Sequence, residues 1–234
     1  LSFFLGFLFS LISWTCLLGI REPPSEVVVK KRESQCIFLS GLGTLLKADR
    51  VFLAFLLAQA GLLMGGMAFA FVAVYAQEYL FLDGYQIGIL SVFLLVGGTF
   101  GSLVFGWMGD RYGHRLMIAI EAALQILGYL ILLLAENQTL VYLSVFLLGL
   151  SRNGISVNSQ PLVYAYAPAV RRPTYIGLFS TLSGLVSIVS PILAGLISQA
   201  LGYTVLFIFS VVLLSVALVY YLKIVREPRL PDWD

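Results

Sequence analysis

Seven stretches of this chain stay apolar over lengths near that of a membrane crossing, at about 1–20, 51–77, 87–108, 116–135, 140–166, 174–198 and 203–222. About 20 such residues span a hydrocarbon core of roughly 30 Å as a helix, and the longer runs do so with tilt. In lipid the backbone must satisfy its own hydrogen bonds, so only helices and closed barrels cross. Barrel strands alternate apolar and polar residues, whereas these runs are continuously apolar. The class that follows is an all-α membrane protein. Composition agrees: 60% of residues are hydrophobic and 11% charged, with a mean hydropathy of +0.97, outside the range of a soluble domain.

The connectors carry the topology signal. Lysine and arginine gather in 21–50 (Arg21, Lys30, Lys31, Arg32, Lys47, Arg50), 106–115 (Arg111, Arg115), 167–173 (Arg171, Arg172) and the C-terminal tail (Lys223, Arg226, Arg229). The intervening connectors hold Glu78, Asp83 and Glu136 and no basic residue. Basic connectors stay on the cytoplasmic side, so these are expected inside. The net charge of +2 reflects this bias and does not indicate a nucleic-acid partner. Cys16 in a span and Cys36 in the linker suggest no disulfide framework. Asn137-Gln138-Thr139 matches a glycosylation acceptor, but in so short a connector it reads as coincidence.

The long polar stretch 21–50, with its helix-ending prolines Pro23 and Pro24, separates the first span from six that follow with tight turns. Those six divide into trios, 51–135 starting inside and 140–222 starting outside. The expected fold is therefore a six-helix bundle of two inverted three-helix repeats plus one extra N-terminal transmembrane helix. The chain opens at Leu1, already inside an apolar run with no signal-peptide features, and reads as a fragment.

GWMGDRYGHR, from Gly106 to Arg115, interrupts this apolar pattern with four ionisable residues. Glycines let two helix ends approach and turn sharply, while Asp110 is expected to cap the following helix and pair with a nearby guanidinium. In a short turn between two helices, the pattern G-x-x-x-D-R-x-G-H-R resembles the signature loop of the major facilitator superfamily. Gly106, Asp110, Arg111, Gly113 and Arg115 stand in the pattern's positions, and His114 where the family more often has arginine or lysine. The resemblance implies that the spans correspond to helices six to twelve of twelve, and that REPP at Arg21–Pro24 opens the family's central linker. Residues 1–20 then form the last helix of a truncated N-terminal half, 21–50 a cytoplasmic linker, 51–226 the C-terminal six-helix half and 227–234 a cytoplasmic tail.

Arg152 is the one basic residue outside those connectors, and at mid-span an arginine costs at least roughly 2.5 kcal/mol to insert. Taking it as zero at about 100° per residue, Asn153 lies near 100°, Ser156 near 40°, Ser159 near −20° and Gln160 near 80°. That stripe should face an aqueous cavity or a partner helix, while Asn158 and Ser151 fall off it. Two readings of Arg152 stay open, contact with a solute or ion and a structural role paired with carbonyls or with an acid in the missing half. The helix after the linker adds a thinner stripe of Gln59, Gly66 and Gln77. The substrate-cavity set is thus Arg152, Asn153, Ser156, Gln160 and Gln59, and the conformational hinge is the Gly106–Arg115 loop.

Small pairs four apart, Gly97 with Gly101, Ser102 with Gly106 and Gly61 with Gly65, read as packing seams. The shared face of Gly177, Ser180, Ser183, Gly184, Ser187 and Pro191 reads as packing or bending. Glu121 is expected near the cytoplasmic edge, in an ion pair or against water. No P-loop occurs, and the single histidine lies in the loop, so no cofactor, no metal and no enzyme chemistry are expected. The resemblance implies a secondary transporter working by alternating access in a bacterial inner (plasma) membrane. Its partners would be membrane lipid, a small-molecule solute and the missing N-terminal half. A non-transporting sensor or assembly subunit that keeps the fold is the alternative.

Overall fold

The computed structural model describes residues 7–11, 15 and 49–225. The chain divides into two compact units, Leu1–Thr44 and Leu45–Asp234. In the first, residues 7–11 and 15 are helical. The rest of the expected first span, the linker up to residue 48 with both cysteines' surroundings, and the tail beyond Val225 lie outside the described residues.

The second unit is helical throughout its described elements. The first span is α1 (Arg50–Gly65), a 3-10 helix (Gly66–Phe71) and α2 (Val72–Tyr79). It is followed by α3 (Gly84–Tyr112), α4 (His114–Leu133), α5 (Gln138–Tyr166), a 3-10 turn (Ala169–Arg171), α6 (Arg172–Leu201) and α7 (Tyr203–Ile224). Six helices are long and apolar enough to cross a membrane. The first span, α3 and α6 run past both ends expected from hydropathy, whereas α4 stops at Leu133, short of the expected 135, and α5 ends as expected at Tyr166. Polar side chains cap three of the helix starts. Asp49 accepts from the Phe52 amide at 3.0 Å, and Asp83 with Gln86 forms a reciprocal capping box. Asn137 accepts from the Leu140 amide at 3.0 Å and so starts α5.

The loop Gly106–Arg115 is shorter than expected. Helix α3 continues to Tyr112 and α4 begins at His114, leaving Gly113 as the whole turn, at φ 97°. Only glycine enters that region cheaply, and Gly202 at φ 87° performs the same reversal between α6 and α7. Asp110 therefore lies in the last turn of α3, and α4 has no side-chain cap. In place of a guanidinium, Asp110 faces His114 Nε2, 3.6 Å away.

Packing follows the small residues. A Cβ on Gly97 or Gly101 would press on the carbonyl oxygen of Phe146 or Leu150, and one on Gly149 on that of Leu94, so α3 and α5 touch backbone to backbone. Gly61 and Gly65 admit Ala217 and Leu214 of α7 in the same way. The face of α6 departs from expectation: a Cβ on Gly177 or Gly184 meets nothing within 4 Å, and Ser180 and Ser187 are exposed, so no described helix packs there. The core is filled by Phe52, Phe55, Tyr129, Leu148, Phe207 and Tyr221, all fully buried.

Charge is sorted by end. Arg115 donates to the Leu222 carbonyl at 2.6 Å, and Tyr175 to Asp49 at 2.8 Å. These contacts gather the α1 start, the α3–α4 turn, the α6 start and the α7 end, with Arg50, Arg111, Arg171, Arg172 and Lys223 among them. At the opposite end Glu136, Asn137 and Gln138 line a hollow with Leu80 and Leu82.

We expect Gly101→Ala to lower stability by about 1–3 kcal/mol through overpacking. Gly184→Ala, with open space at its Cβ, is expected to be neutral or to gain up to about 1 kcal/mol from helix propensity. Melting of both variants in detergent checks this, and equal melting temperatures would contradict the α3–α5 seam.

Candidate solute-facing surface and hinge

The first span breaks where Gly65 and Gly66 adjoin and the chain tightens into 3-10 geometry. Tyr129, fully buried on α4, donates to the Gly66 carbonyl at 3.2 Å and so answers one group that the break frees. Beside the break, Leu63, Gly66, Phe69 and Ala70 meet Arg152 of α5 and Ser187, Ser190 and Pro191 of α6 around a cavity of about 110 Å³. The Arg152 guanidinium lies 4.6 Å from the centre of the Phe69 ring, a cation–π contact. No carboxylate among the described residues forms an ion pair with it. A second, largely apolar cavity of about 220 Å³ begins on the other side of Phe69, between α2, α3 and Val145.

Helix α5 has two polar faces. Arg152, Asn153, Ser156 and Gln160 are exposed together, as the stripe requires, and Ser156 donates back to the Arg152 carbonyl at 3.2 Å. Ser159, placed on that stripe by angle, is instead 2% exposed. Its hydroxyl accepts from Gln59 Nε2 at 2.8 Å, which draws Gln59, expected in the cavity, into the α1–α5 contact. Gln59 is 3% exposed, and Gly66 is buried while Gln77 is exposed, so the thin stripe on the first span does not stay on one face. The 3-10 segment rotates the chain between them.

The opposite face of α5 carries a network centred on a residue off the expected stripe. Asn158 is fully buried. Its Nδ2 donates to Glu121 Oε1 at 2.7 Å and to the Gly154 carbonyl at 3.2 Å. Its Oδ1 lies 2.8 Å from His114 Nδ1, so that nitrogen carries the proton in this contact. Glu121, expected near an edge in an ion pair or against water, is fully buried and held by the Asn158 amide, with Oε2 unbonded. Of the other loop residues, Asp110 and Arg111 are exposed, whereas Arg115 is half-buried against the α7 end. Arg111 lies 5.8 Å from the Trp107 ring centre and 5.9 Å from that of Tyr112, while Gly106 gives room to Val157.

Sequence reasoning missed Phe69, Tyr129 and Asn158. The adjoining Gly65-Gly66 in mid-span signals the break, but nothing in the sequence marks Asn158 as its neighbours' partner. Among the described residues, no group of three His, Cys, Asp or Glu side chains could hold a metal.

Six membrane-length helices define a multi-pass integral membrane protein, in which a broken first span lies beside a polar face at mid-helix. The sequence profile of the Major Facilitator Superfamily matches residues 55–233, and the chain belongs to that family. It is 31% identical over 117 residues to the gentisate transporter of Corynebacterium glutamicum, covering 49% of this chain and 26% of that one. It is 26% identical over 162 residues to the major myo-inositol transporter of Bacillus subtilis, covering 67% and 33%. The fold resembles that of an auto-inhibited peptide transporter of the POT family, with a TM-score of 0.66 and 17% identity over 80% of this chain and 40% of that one. The chain thus spans less than half the length of these proteins.

The Gln59–Ser159 bond yields a stability prediction. Ser159→Ala leaves the buried Gln59 amide without that partner and is expected to cost about 1–3 kcal/mol, whereas Gln59→Leu with Ser159→Ala should recover most of it. Thermal unfolding of the single and double variants measures the difference, and a double variant less stable than Ser159→Ala would refute it.

Proposed function

We propose that this chain is the C-terminal half of a secondary active transporter, joined through residues 21–50 to the last helix of an N-terminal half. In this reading it moves a small organic solute by alternating access. Two three-helix repeats, 51–135 and 140–222, are inverted relative to each other, and the two halves rock about a site near the membrane midplane. The single observation that carries the reading is Arg152: a guanidinium at mid-helix, on the exposed face of α5 beside the broken span, with no carboxylate among the described residues to pair it. A charge so placed needs an anion or an aqueous cavity. Arg152, Asn153, Ser156 and Gln160 then face the solute, Gln59 supports them through Ser159, and the Gly106–Arg115 segment with Asp110, Arg111, Gly113 and Arg115 acts as the hinge. Names of relatives point to solute transport, and an exposed polar face at mid-helix is less useful to a sensor or assembly subunit. Arg152 favours an anionic solute over a neutral one.

The test is uptake and efflux by the full-length protein in proteoliposomes, with and without a proton gradient. Gentisate serves as an anionic probe and myo-inositol as a neutral one. Arg152→Lys keeps the charge but loses the planar fork of donors, and should weaken affinity for the anion about tenfold, with Arg152→Gln about a hundredfold weaker and still inserted. If Arg152 instead pairs an acid of the N-terminal half, Arg152→Gln should leave that acid unpaired, cost about 3–5 kcal/mol of stability and be rescued by neutralising the acid. No transport of any solute by well-folded protein would favour the non-transporting alternative.

Sidedness follows from the charge distribution. Cysteines introduced at Arg171 are expected to react from the cytoplasmic side, and those at Asp83 and Gln138 from outside, with a membrane-impermeant maleimide. Labelling of Asp83 and Arg171 from one side would remove the inverted arrangement.

A further inference from the structure

Asn158 uses its whole amide. Both hydrogens of Nδ2 and the oxygen are engaged, with Glu121 and the Gly154 carbonyl on one side and His114 on the other. The Gly154 carbonyl can only accept, and this fixes which way the amide faces. Its partners are the first residue of α4 and a residue two turns further along it, so one side chain of α5 is fastened to α4 at two heights.

Room for this is provided by two glycines. A Cβ on Gly109 of α3 would strike Asn158 Oδ1 and lie 2.6 Å from His114 Nδ1, and one on Gly154 would strike Glu121 Oε1. Three helices therefore leave a gap shaped around the Asn158 amide and its two partners. It lies directly beneath Gly113, the single-residue turn between α3 and α4. Asp110, 79% exposed, faces the far nitrogen of the same imidazole. Asn158 lies about one and two-thirds turns from Arg152 and two residues from Ser156, on the helix that also presents the exposed polar face. Any rotation or axial slide of α5 must break these bonds or carry the α3–α4 turn with it.

We infer that Asn158 is a positioning residue that makes the α3–α4 turn and the solute-facing helix α5 move as one body. This rests on the transport reading, in which α5 bears the solute contacts. Its partner at the turn is His114, the first residue of α4, whose Nδ1 meets the Asn158 oxygen at 2.8 Å. The coupling is between two named side chains, and it predicts that their substitutions are not independent.

The test reads conformation rather than transport, so no solute is needed and failure of the uptake assay leaves it unaffected. In the full-length protein with Cys16 and Cys36 replaced by serine, a reporter Ser187→Cys at the cavity beside Arg152 is alkylated with a membrane-impermeant maleimide from each side of oriented vesicles. Asn158→Ala and His114→Ala are each expected to change the ratio of the two labelling rates by about fivefold or more, and the double variant by no more than the larger single effect. His114→Gln, which supplies a donor to Asn158, should return the ratio to within about twofold of the parent, while His114→Phe, which fills space without a donor, should not. Melting temperatures measured on the same proteins identify variants that merely unfold, and His114→Gln and His114→Phe provide the comparison if Asn158→Ala does. Effects that multiply in the double variant, a parental ratio in the single variants, or a parental ratio in His114→Phe would each overturn the inference.

Discussion

The close approach of α3 and α5 sets the geometry on which both polar regions depend. Gly97, Gly101 and Gly149 bring the two backbones together, because no side chain stands between them and the carbonyls of Phe146, Leu150 and Leu94. In hydrocarbon there is no hydrophobic drive between helices, so this contact rests on dispersion over a long, smooth seam. The seam fixes the rotation of α5. With that rotation set, Ser159 meets Gln59, Asn158 meets Glu121 and His114, and Arg152 with Ser156 is left facing outward.

Polar groups inside the bundle are treated in two ways. Between helices, polar groups answer one another, as Ser159 accepts from Gln59 and Ser144 of α5 donates to the Gly128 carbonyl of α4 at 2.8 Å, while Gln59 Oε1 and Glu121 Oε2 stay unbonded. On the exposed face of α5, Ser156 returns to the Arg152 carbonyl and the Arg152 guanidinium stacks on Phe69, with no carboxylate among the described residues in an ion pair with it. A guanidinium without a carboxylate partner among the described residues, beside a broken helix, is costly in lipid. The break itself is inexpensive, because Gly65 and Gly66 tolerate the tighter geometry and Tyr129 answers a freed carbonyl.

Much of the fold is legible from residues alone. Run length implies seven spans, of which the last six are membrane-length helices among the described residues, the alternation of basic and acidic connectors predicts which ends lie together, and the paired glycines predict close helix contacts. The same reasoning misplaces what depends on rotation. A helical wheel drawn on α5 cannot tell which edge of a polar stripe is covered, so Ser159 is assigned to the cavity and Asn158 set aside. On the first span the wheel assumes 3.6 residues per turn through a 3-10 segment, which breaks the phase between Gln59 and Gln77. The small face of α6 carries the pattern of a seam but meets no described helix, since pattern indicates that a face can pack and not what packs on it.

The sequence by itself determined that the chain is a bundle of membrane helices with a glycine-rich, charged turn and one arginine where lipid would exclude it, because apolar length and charge placement are set by transfer free energies that act locally. Only the tertiary structure decided that this turn is a single residue, that Glu121 lies buried against an amide, and that Asn158 links α5 to His114. Those facts depend on the register between helices far apart in sequence, and register is a property of the packed seam rather than of any one helix.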